Sequence, residues 1–216
     1  MKPFLVYDCE IINAIPSRNE PEQVGISYCN GWRDFANMGI SVIGAYDYAT
    51  DRNRVFCVDN FDEFAALARE RTPVAFNGHA FDDQLVRANG IEIEGTYDML
   101  VEVWAGIGLG PQFNPRTHGG YTDDTAPDER DEFNPRTHGG YGLDPICEAN
   151  FGMRKTGNGA LAPILWQQGK RGAVIDYCMN DVAMEAHLLD HIIKVGWIVC
   201  PKTGKTIVVR RPWEVA

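Results

Sequence analysis

The feature that most limits what this chain can fold into is its first strand. Phe4-Leu5-Val6-Tyr7 is an apolar run, and it leads straight into Asp8-Cys9-Glu10. An extended chain alternates its faces, so residues i and i+2 project together. A strand apolar enough to be buried therefore carries two carboxylates side by side at its end. Like charges held that close repel, and one pKa rises. A divalent cation would remove the conflict and use both groups as hard oxygen ligands. A strand end open to solvent would remove it too, and residues further along decide between the two readings.

The length of 216 residues is that of one domain. No apolar run approaches the roughly 20 residues that span a bilayer. Met1-Lys2-Pro3 enters the first strand directly, which leaves no room for a signal peptide. The six cysteines include no Cys-x-x-Cys pair, so neither a zinc ribbon nor a disulfide framework is indicated. The expectation is a cytoplasmic protein with no membrane association. A net charge of −10 argues against holding nucleic acid by bulk electrostatics. It leaves open an enzyme that meets nucleic acid through metal ions, whose charge cancels local carboxylates. Part of the excess is a loop-like acidic run over residues 123–132.

Along the chain, residues 24–28 suggest a short strand and residues 39–48 a longer β-branched and aromatic one. A polar turn at residues 51–54 would join the latter to a hairpin partner at residues 55–58. Asn60 and Glu63 have capping-box spacing before a helix that ends near Arg71. Residues 73–76 read as a short buried strand. Helices are expected over residues 81–88, closed by Asn89-Gly90, and from Asp98, as cap, to about Gly106. Asp144-Pro145 reads as N-cap and N1 of a further helix to Asn150. The longest helical pattern covers residues 174–194, with Val174, Cys178, Val182, Leu189 and Ile193 on its apolar face. A terminal hairpin follows. Between these elements Phe-Asn-Pro-Arg-Thr-His-Gly-Gly-Tyr occurs at residues 113–121 and again, unchanged, at residues 133–141. Two copies are too few for a solenoid, so this is a local duplication in loop sequence. Its Arg and His, including Arg116 and His118, could touch phosphate.

The long helix carries Tyr177 and Asp181 four residues apart, hence on one face. Asp82 stands at a strand-to-helix junction after Asn77-Gly78-His79-Ala80-Phe81. Asp8, Glu10, Asp82 and Asp181, with a tyrosine beside the last, make the ligand set of a two-metal phosphodiesterase site. Asp83 is a rival for Asp82, but it would point elsewhere on its helix. Asp98 and Asp176 read as a cap and a surface residue. His187 and His191 have zinc spacing on a helix. They lack an evident third ligand, and a solvated face is the competing reading. Tyr7, Phe76 and Trp166 read as core.

Asp8-x-Glu10, Asn77-x-x-x-Phe81-Asp82 and Tyr177-x-x-x-Asp181 resemble, in that order, the three motifs of the DEDDy 3′–5′ exonucleases. The spacing from Asn77 to Asp82 is most similar to the proofreading exonuclease domain of family B DNA polymerases. Asp176 stands where the related histidine class has its His. The resemblance covers residues 4 to about 190, and the duplicated segment departs from it. It implies an α/β, ribonuclease H-like domain with a mixed sheet of about five strands, flanking helices and a C-terminal hairpin. Residues 1–216 would form that single domain, with a loop insertion at residues 111–141. It implies two divalent cations, Mg²⁺ or Mn²⁺. Asp8 would bridge both, Glu10 and Asp181 would complete the first site, and Asp82 would serve the second largely through water. Tyr177 would hold the attacking water, and Asn77 and Phe81 would contact the terminal nucleotide. Lys155, in a basic Gly-containing loop, could contact a phosphate. The implied activity is removal of nucleoside 5′-monophosphates from 3′ ends of single-stranded or frayed DNA, in proofreading during DNA replication. A polymerase or replication protein would then be a separate chain. An exoribonuclease and a non-catalytic nucleic-acid-binding module on the same fold are the alternatives.

Overall fold

The apolar first strand lies at the centre of a five-stranded sheet. The structure, a computed structural model, describes residues 2–17, 21–108, 135–155, 157 and 159–215. The first copy of the repeated segment, the acidic run and the first two residues of the second copy lie outside the described residues. The chain packs as two compact units, Met1–Tyr97 with Lys155–Ala186 and Asp98–Arg154 with His187–Ala216. The sheet is built from β1 (Phe4–Ile11), β2 (Ile40–Asp47), β3 (Arg52–Phe56), β4 (Thr72–Ala75) and β5 (Tyr97–Asp98), in the order β3-β2-β1-β4-β5. β2 runs antiparallel to β1 and β3, and β4 runs parallel to β1. This is the mixed α/β sheet expected.

Alternation along β1 divides its residues between two environments. Leu5, Tyr7, Cys9 and Ile11 enter the main core. There they meet Met38 of α1 (Phe35–Met38), Phe64, Ala65 and Ala68 of α2 (Phe61–Glu70), and Leu85 and Val86 of α3 (Asp82–Ala88). The alternate set is Val6, Asp8 and Glu10, with Gly44 opposite Asp8 and Val42 opposite Glu10. Val42 clusters with Ala162 of α6 (Ala162–Gln167) and with Val174 and Cys178 of the long helix, α7 (Arg171–Val195). One face of β1 thus holds the fold together, and the other presents the two carboxylates toward α7.

Gly44 sets how close α7 comes. A Cβ there would lie 2.8 Å from Cys178 Sγ, 3.0 Å from Met179 Sδ and 3.2 Å from Val182 Cγ2. The bare backbone of β2 lets the helix settle onto the sheet beside Asp8, and Cys178 Sγ donates to the Asp8 carbonyl at 3.5 Å.

Several local expectations shift. Residues 24–28 do not form a strand: Gly25 turns at φ 83, and only Tyr28 makes a bridge, to Ala14. The hairpin turn falls earlier than expected, with Asp51 at φ 52, and Arg52 already pairs with Asp47. Asn60 does not cap α2 through its side chain. Its Oδ1 instead accepts from the Cys57 amide at 2.7 Å, closing the preceding turn.

The second unit contains α4 (Met99–Gly106), α5 (Leu143–Phe151) and the antiparallel hairpin β6 (Trp197–Val199) and β7 (Thr206–Val208). Asp98 caps α4 by accepting from Leu100 N at 3.0 Å and Val101 N at 3.4 Å. Glu102 takes both arms of Arg210, at 2.7 and 2.9 Å. Asn150 clasps the backbone of Val199 from both sides, at 2.7 and 3.0 Å. α5 starts at Leu143 after Gly142, so Pro145 lies inside its first turn rather than at N1. The helix-spaced histidines pack edge-on against Phe151, with ring centroids at 4.5 Å for His187 and 5.2 Å for His191. The tail of the duplicated segment forms a 3-10 turn, Pro135–Gly140, with His138 at φ 51. No described helix is long and apolar enough to cross a membrane.

Gly44→Val should force α7 away from β2. Overpacking of this kind typically costs 1–3 kcal/mol, or about 2–4 °C of melting temperature per kcal/mol at this chain length. A thermal melt by circular dichroism checks it, and an unchanged melting temperature would mean that Gly44 does not set the helix–sheet distance.

Candidate active site

Three elements bring the sequence-predicted acids into one region. β1 supplies Asp8 and Glu10. Asp82 is the first residue of α3, and its Oδ1 accepts from the Cys9 amide at 3.1 Å, between the two β1 carboxylates. The chain reaches α3 through Asn77, which sits in the left-handed region at φ 66. Asn77 tolerates that conformation better than most residues. Its carbonyl accepts from Ala80 N and Phe81 N, both at 3.2 Å, which turns the chain from β4 into the helix. Asp83 goes the other way. Its Oδ1 accepts from Tyr7 Oη at 2.5 Å and Thr96 Oγ1 at 2.8 Å, and Arg87 stands 3.6 Å from Oδ2. Adjacent aspartates therefore do different things, one facing the β1 carboxylates and one locking the core.

α7 supplies Asp181, 3 % exposed, with Tyr177 one turn before it. Lys155 Nζ donates to Asp181 Oδ2 and lies 5.8 Å over the Tyr177 ring. The Lys155 loop passes so close to that ring that a Cβ at Gly157 would lie 2.7 Å from Tyr177 Cδ2. At Gly159 a Cβ would lie 3.2 Å from the Tyr177 hydroxyl oxygen. Glycines here let the backbone wall the tyrosine in.

Electrostatics reports the crowding. Burial, then the field of Asp181, pushes the Asp8 carboxyl up to about 7, with Lys155 opposing. Burial and then the Asp8 charge raise Glu10 and Asp82 well above the usual carboxylate range. Burial alone would lower the Lys155 ammonium, but Asp181 and Tyr177 outweigh it and the ammonium is raised. Burial raises the Tyr177 phenol against the opposing Lys155 charge, so it is a neutral hydroxyl near pH 7.

Among the described residues, no three His, Cys, Asp or Glu side chains are drawn together as a ready metal-ion cage. The donor chemistry nevertheless fits hard divalent cations. Asp8 Oδ2 and Asp181 Oδ1 are buried oxygens with no hydrogen-bond partner among the described residues. Carboxylate oxygens left unsatisfied in a low-dielectric setting are the donors that Mg²⁺ and Mn²⁺ prefer.

Two further residues bear on the site. Glu185 lies one turn beyond Asp181 on α7, is 2 % exposed, and its Oε2 is also buried without a partner. Its i+4 spacing from Asp181 is visible in the sequence, but its burial is not. Trp32 is 66 % exposed, and it packs against Phe81 with centroids 6.3 Å apart. Phe35 packs on the same ring at 5.9 Å. The loop bearing Trp32 is tied by Asp34, which accepts from Asn30 N at 2.8 Å and from the Asn30 and Asn37 amides at 2.7 and 2.6 Å.

No family model matches the sequence, and neither does any curated protein. Solved structures do match. The family B DNA polymerase of the hyperthermophilic archaeon Pyrobaculum calidifontis superposes with a TM-score of 0.52 at 13 % identity, over 89 % of this chain. The fold is ribonuclease H-like, a mixed five-stranded sheet with flanking helices. This chain spans 25 % of that polymerase. The RNase D of Trypanosoma brucei matches at 15 % identity and a TM-score of 0.47, over 89 % of this chain and 58 % of that one. Its complex with GMP matches at 13 % and the same TM-score, over 51 % of that chain. Within the ribonuclease H-like fold of this chain, all four motif acids and Tyr177 fall in the unit built around β1.

The raised Asp8 value makes a testable statement about stability. A carboxyl held above its unfolded value of 3.8 stabilises fully below that value, and the contribution is lost as pH rises through about 7. Asp8→Asn removes this titration. With EDTA present, the variant should match the parent near pH 4 and become the more stable of the two by pH 8, by about 4 kcal/mol at the limit. Urea unfolding at the two pH values measures it, and a pH-independent difference would show that the Asp8 charge is not confined.

Proposed function

We propose that the chain is a metal-dependent 3′–5′ exonuclease that hydrolyses phosphodiester bonds at 3′ ends of DNA and releases nucleoside 5′-monophosphates. The observation that carries this reading is the gathering of Asp8, Glu10, Asp82 and Asp181, from three separate elements, with oxygens of Asp8 and Asp181 buried and unpartnered. A protein that only binds nucleic acid has no need for this concentration of repelling charge. Exonucleases of this fold typically use divalent metal ions. Asp8, Glu10 and Asp181 are assigned to one cation, and Asp8 with Asp82 to a second. Two bound cations would supply charge neutralisation and a clamp on the attacking and leaving oxygens.

The remaining roles belong to this chain's own groups. Tyr177, neutral and walled in by the Gly157 and Gly159 backbone, positions the attacking water through its hydroxyl. Lys155, now on Asp181, is the positive group assigned to the phosphate. Asn77 and Phe81 meet the terminal nucleotide, and Trp32 with Phe35 widens Phe81 into an aromatic surface. Such a surface suits a base that has left its stack. A single or frayed strand is the favoured substrate, because unstacking a paired terminus costs a few kcal/mol. Work beside a polymerase or other replication protein, with this activity as proofreader, is the proposed context.

A 5′-labelled DNA oligomer incubated with Mg²⁺ or Mn²⁺ should shorten as a ladder, and EDTA should stop it. Immediate release of a 5′-labelled mononucleotide would mean the opposite polarity. Faster digestion of a matched RNA oligomer would move the assignment to an exoribonuclease. Asp8→Ala and Asp181→Ala should abolish turnover with a native circular dichroism spectrum, and retained turnover in either would remove this site from consideration.

Tyr177→Phe should keep divalent-ion binding and slow hydrolysis by on the order of 10²-fold. Trp32→Ala should raise KM for a short single strand about tenfold with little change in kcat, while Trp32→Phe should restore much of the loss. Equal kinetics for Trp32→Ala and the parent would exclude a stacking role.

A further inference from the structure

Glu185 is the buried acid to which the three motifs give no role. Buried acids away from the site are each satisfied by donors. Asp47 accepts from Arg71 Nε at 3.0 Å, Thr50 Oγ1 at 2.9 Å and Ala49 N at 3.0 Å. Asp98 caps α4, Glu102 holds Arg210, and Asp83 is bound by Tyr7 and Thr96. Glu185 has none of this. It is 2 % exposed, and its Oε2 is sealed from solvent with no partner among the described residues. The carboxylate oxygens that share this condition are Asp8 Oδ2 and Asp181 Oδ1.

Helix geometry places it with them. Four residues advance an α-helix by about 6 Å and turn it about 40° past a full revolution. Tyr177, Asp181 and Glu185 therefore form one gently rotating row on α7, on the side where Cys178 and Val182 meet β2. After burial, the strongest fields on Glu185 come from Asp8, then Asp82, then Asp181, which raise its carboxyl well above the usual range. Lys155 acts in the opposite sense and ranks behind all three acids. The row thus runs on from Asp181 along the side of α7 that packs on β2, where Gly44 lies opposite Asp8.

We infer that Glu185 is a fifth carboxylate of the cation site, serving the cation assigned to Asp8 and Asp82, as a ligand or by accepting hydrogen bonds from that cation's waters. The inference rests on the metal-dependent reading above. By resemblance, that second cation has only Asp8 and Asp82 to hold it. A buried, unpartnered glutamate within the field of both supplies the additional negative oxygen that such a site otherwise lacks. Binding would at the same time give the buried Oε2 the positive partner that the protein side chains around it do not provide.

Calorimetric titration of the metal-free protein with Mn²⁺ tests this without reference to turnover. The parent should bind two ions. Glu185→Gln keeps shape and removes the charge. It should leave one site unchanged and weaken the other by about tenfold or more, as loss of an outer carboxylate commonly does. The Mn²⁺-induced rise in melting temperature should shrink accordingly. Glu185→Asp, which keeps the charge on a shorter stem, should retain part of the affinity. If the Gln variant does not fold, Glu185→Met, apolar and of similar length, takes its place with the same expected loss. An unchanged isotherm in the folded Gln or Met variant overturns the inference and leaves the exonuclease reading standing. A parent protein that binds no Mn²⁺ overturns both.

Discussion

Mutual repulsion among buried carboxylates is the constraint on which this site depends. Asp8, Glu10 and Asp82 are held on rigid elements in surroundings that disfavour their charged forms. Water relieves them little, because Glu10 and Asp82 are buried and Asp8 Oδ2 is sealed from solvent. Each contact that tightens the fold there also tightens the repulsion: Asp82 on the Cys9 amide, Cys178 on the Asp8 carbonyl, Gly44 under α7. The fold therefore concentrates acidic groups at the cost of stability, as functional sites commonly do.

The stabilising work is done elsewhere, and largely by the opposite face of the same strand. Leu5, Tyr7, Cys9 and Ile11 pack with α2 and α3 in the main core. Tyr7 also donates to Asp83, so the residue after the candidate ligand Asp82 anchors the helix that carries it. In the second unit, acids and bases are matched in the ordinary way, as in the Glu102–Arg210 pair and the Asp98 cap. The contrast between satisfied acids there and unsatisfied ones around β1 is what marks the candidate site.

Lys155 gives the acid group a positive charge of its own. It comes from a loop with little regular structure, and two glycines bring that loop's backbone against Tyr177. One short segment therefore shapes both the charge balance and the setting of the tyrosine hydroxyl. The aromatic side of the site has the same economy. Phe81 precedes the candidate ligand Asp82 directly and gathers Trp32 and Phe35 from a loop that Asp34 ties down.

Much of this was legible in the sequence because it rests on short-range periodicity. Strand alternation put Asp8 beside Glu10, helical spacing put Tyr177 beside Asp181, and Asp98 announced the start of α4. The terminal hairpin followed from apolar runs and the turn between them, and the mixed sheet from the resemblance that the three motifs carry. Misplaced features were those where a local signal had a competing partner. Asn60 closed a turn instead of capping α2, and Gly25 turned the chain where a strand was expected. Tertiary structure alone decided that Asp83 turns to Tyr7 and Thr96 in the core. It also decided that Lys155 reaches Asp181, that Trp32 meets Phe81, and that Glu185 is buried with the acids rather than solvated. Spacing along one element sets which side chains share a face. What that face is pressed against depends on contacts between residues far apart in the chain, and no local pattern carries that information.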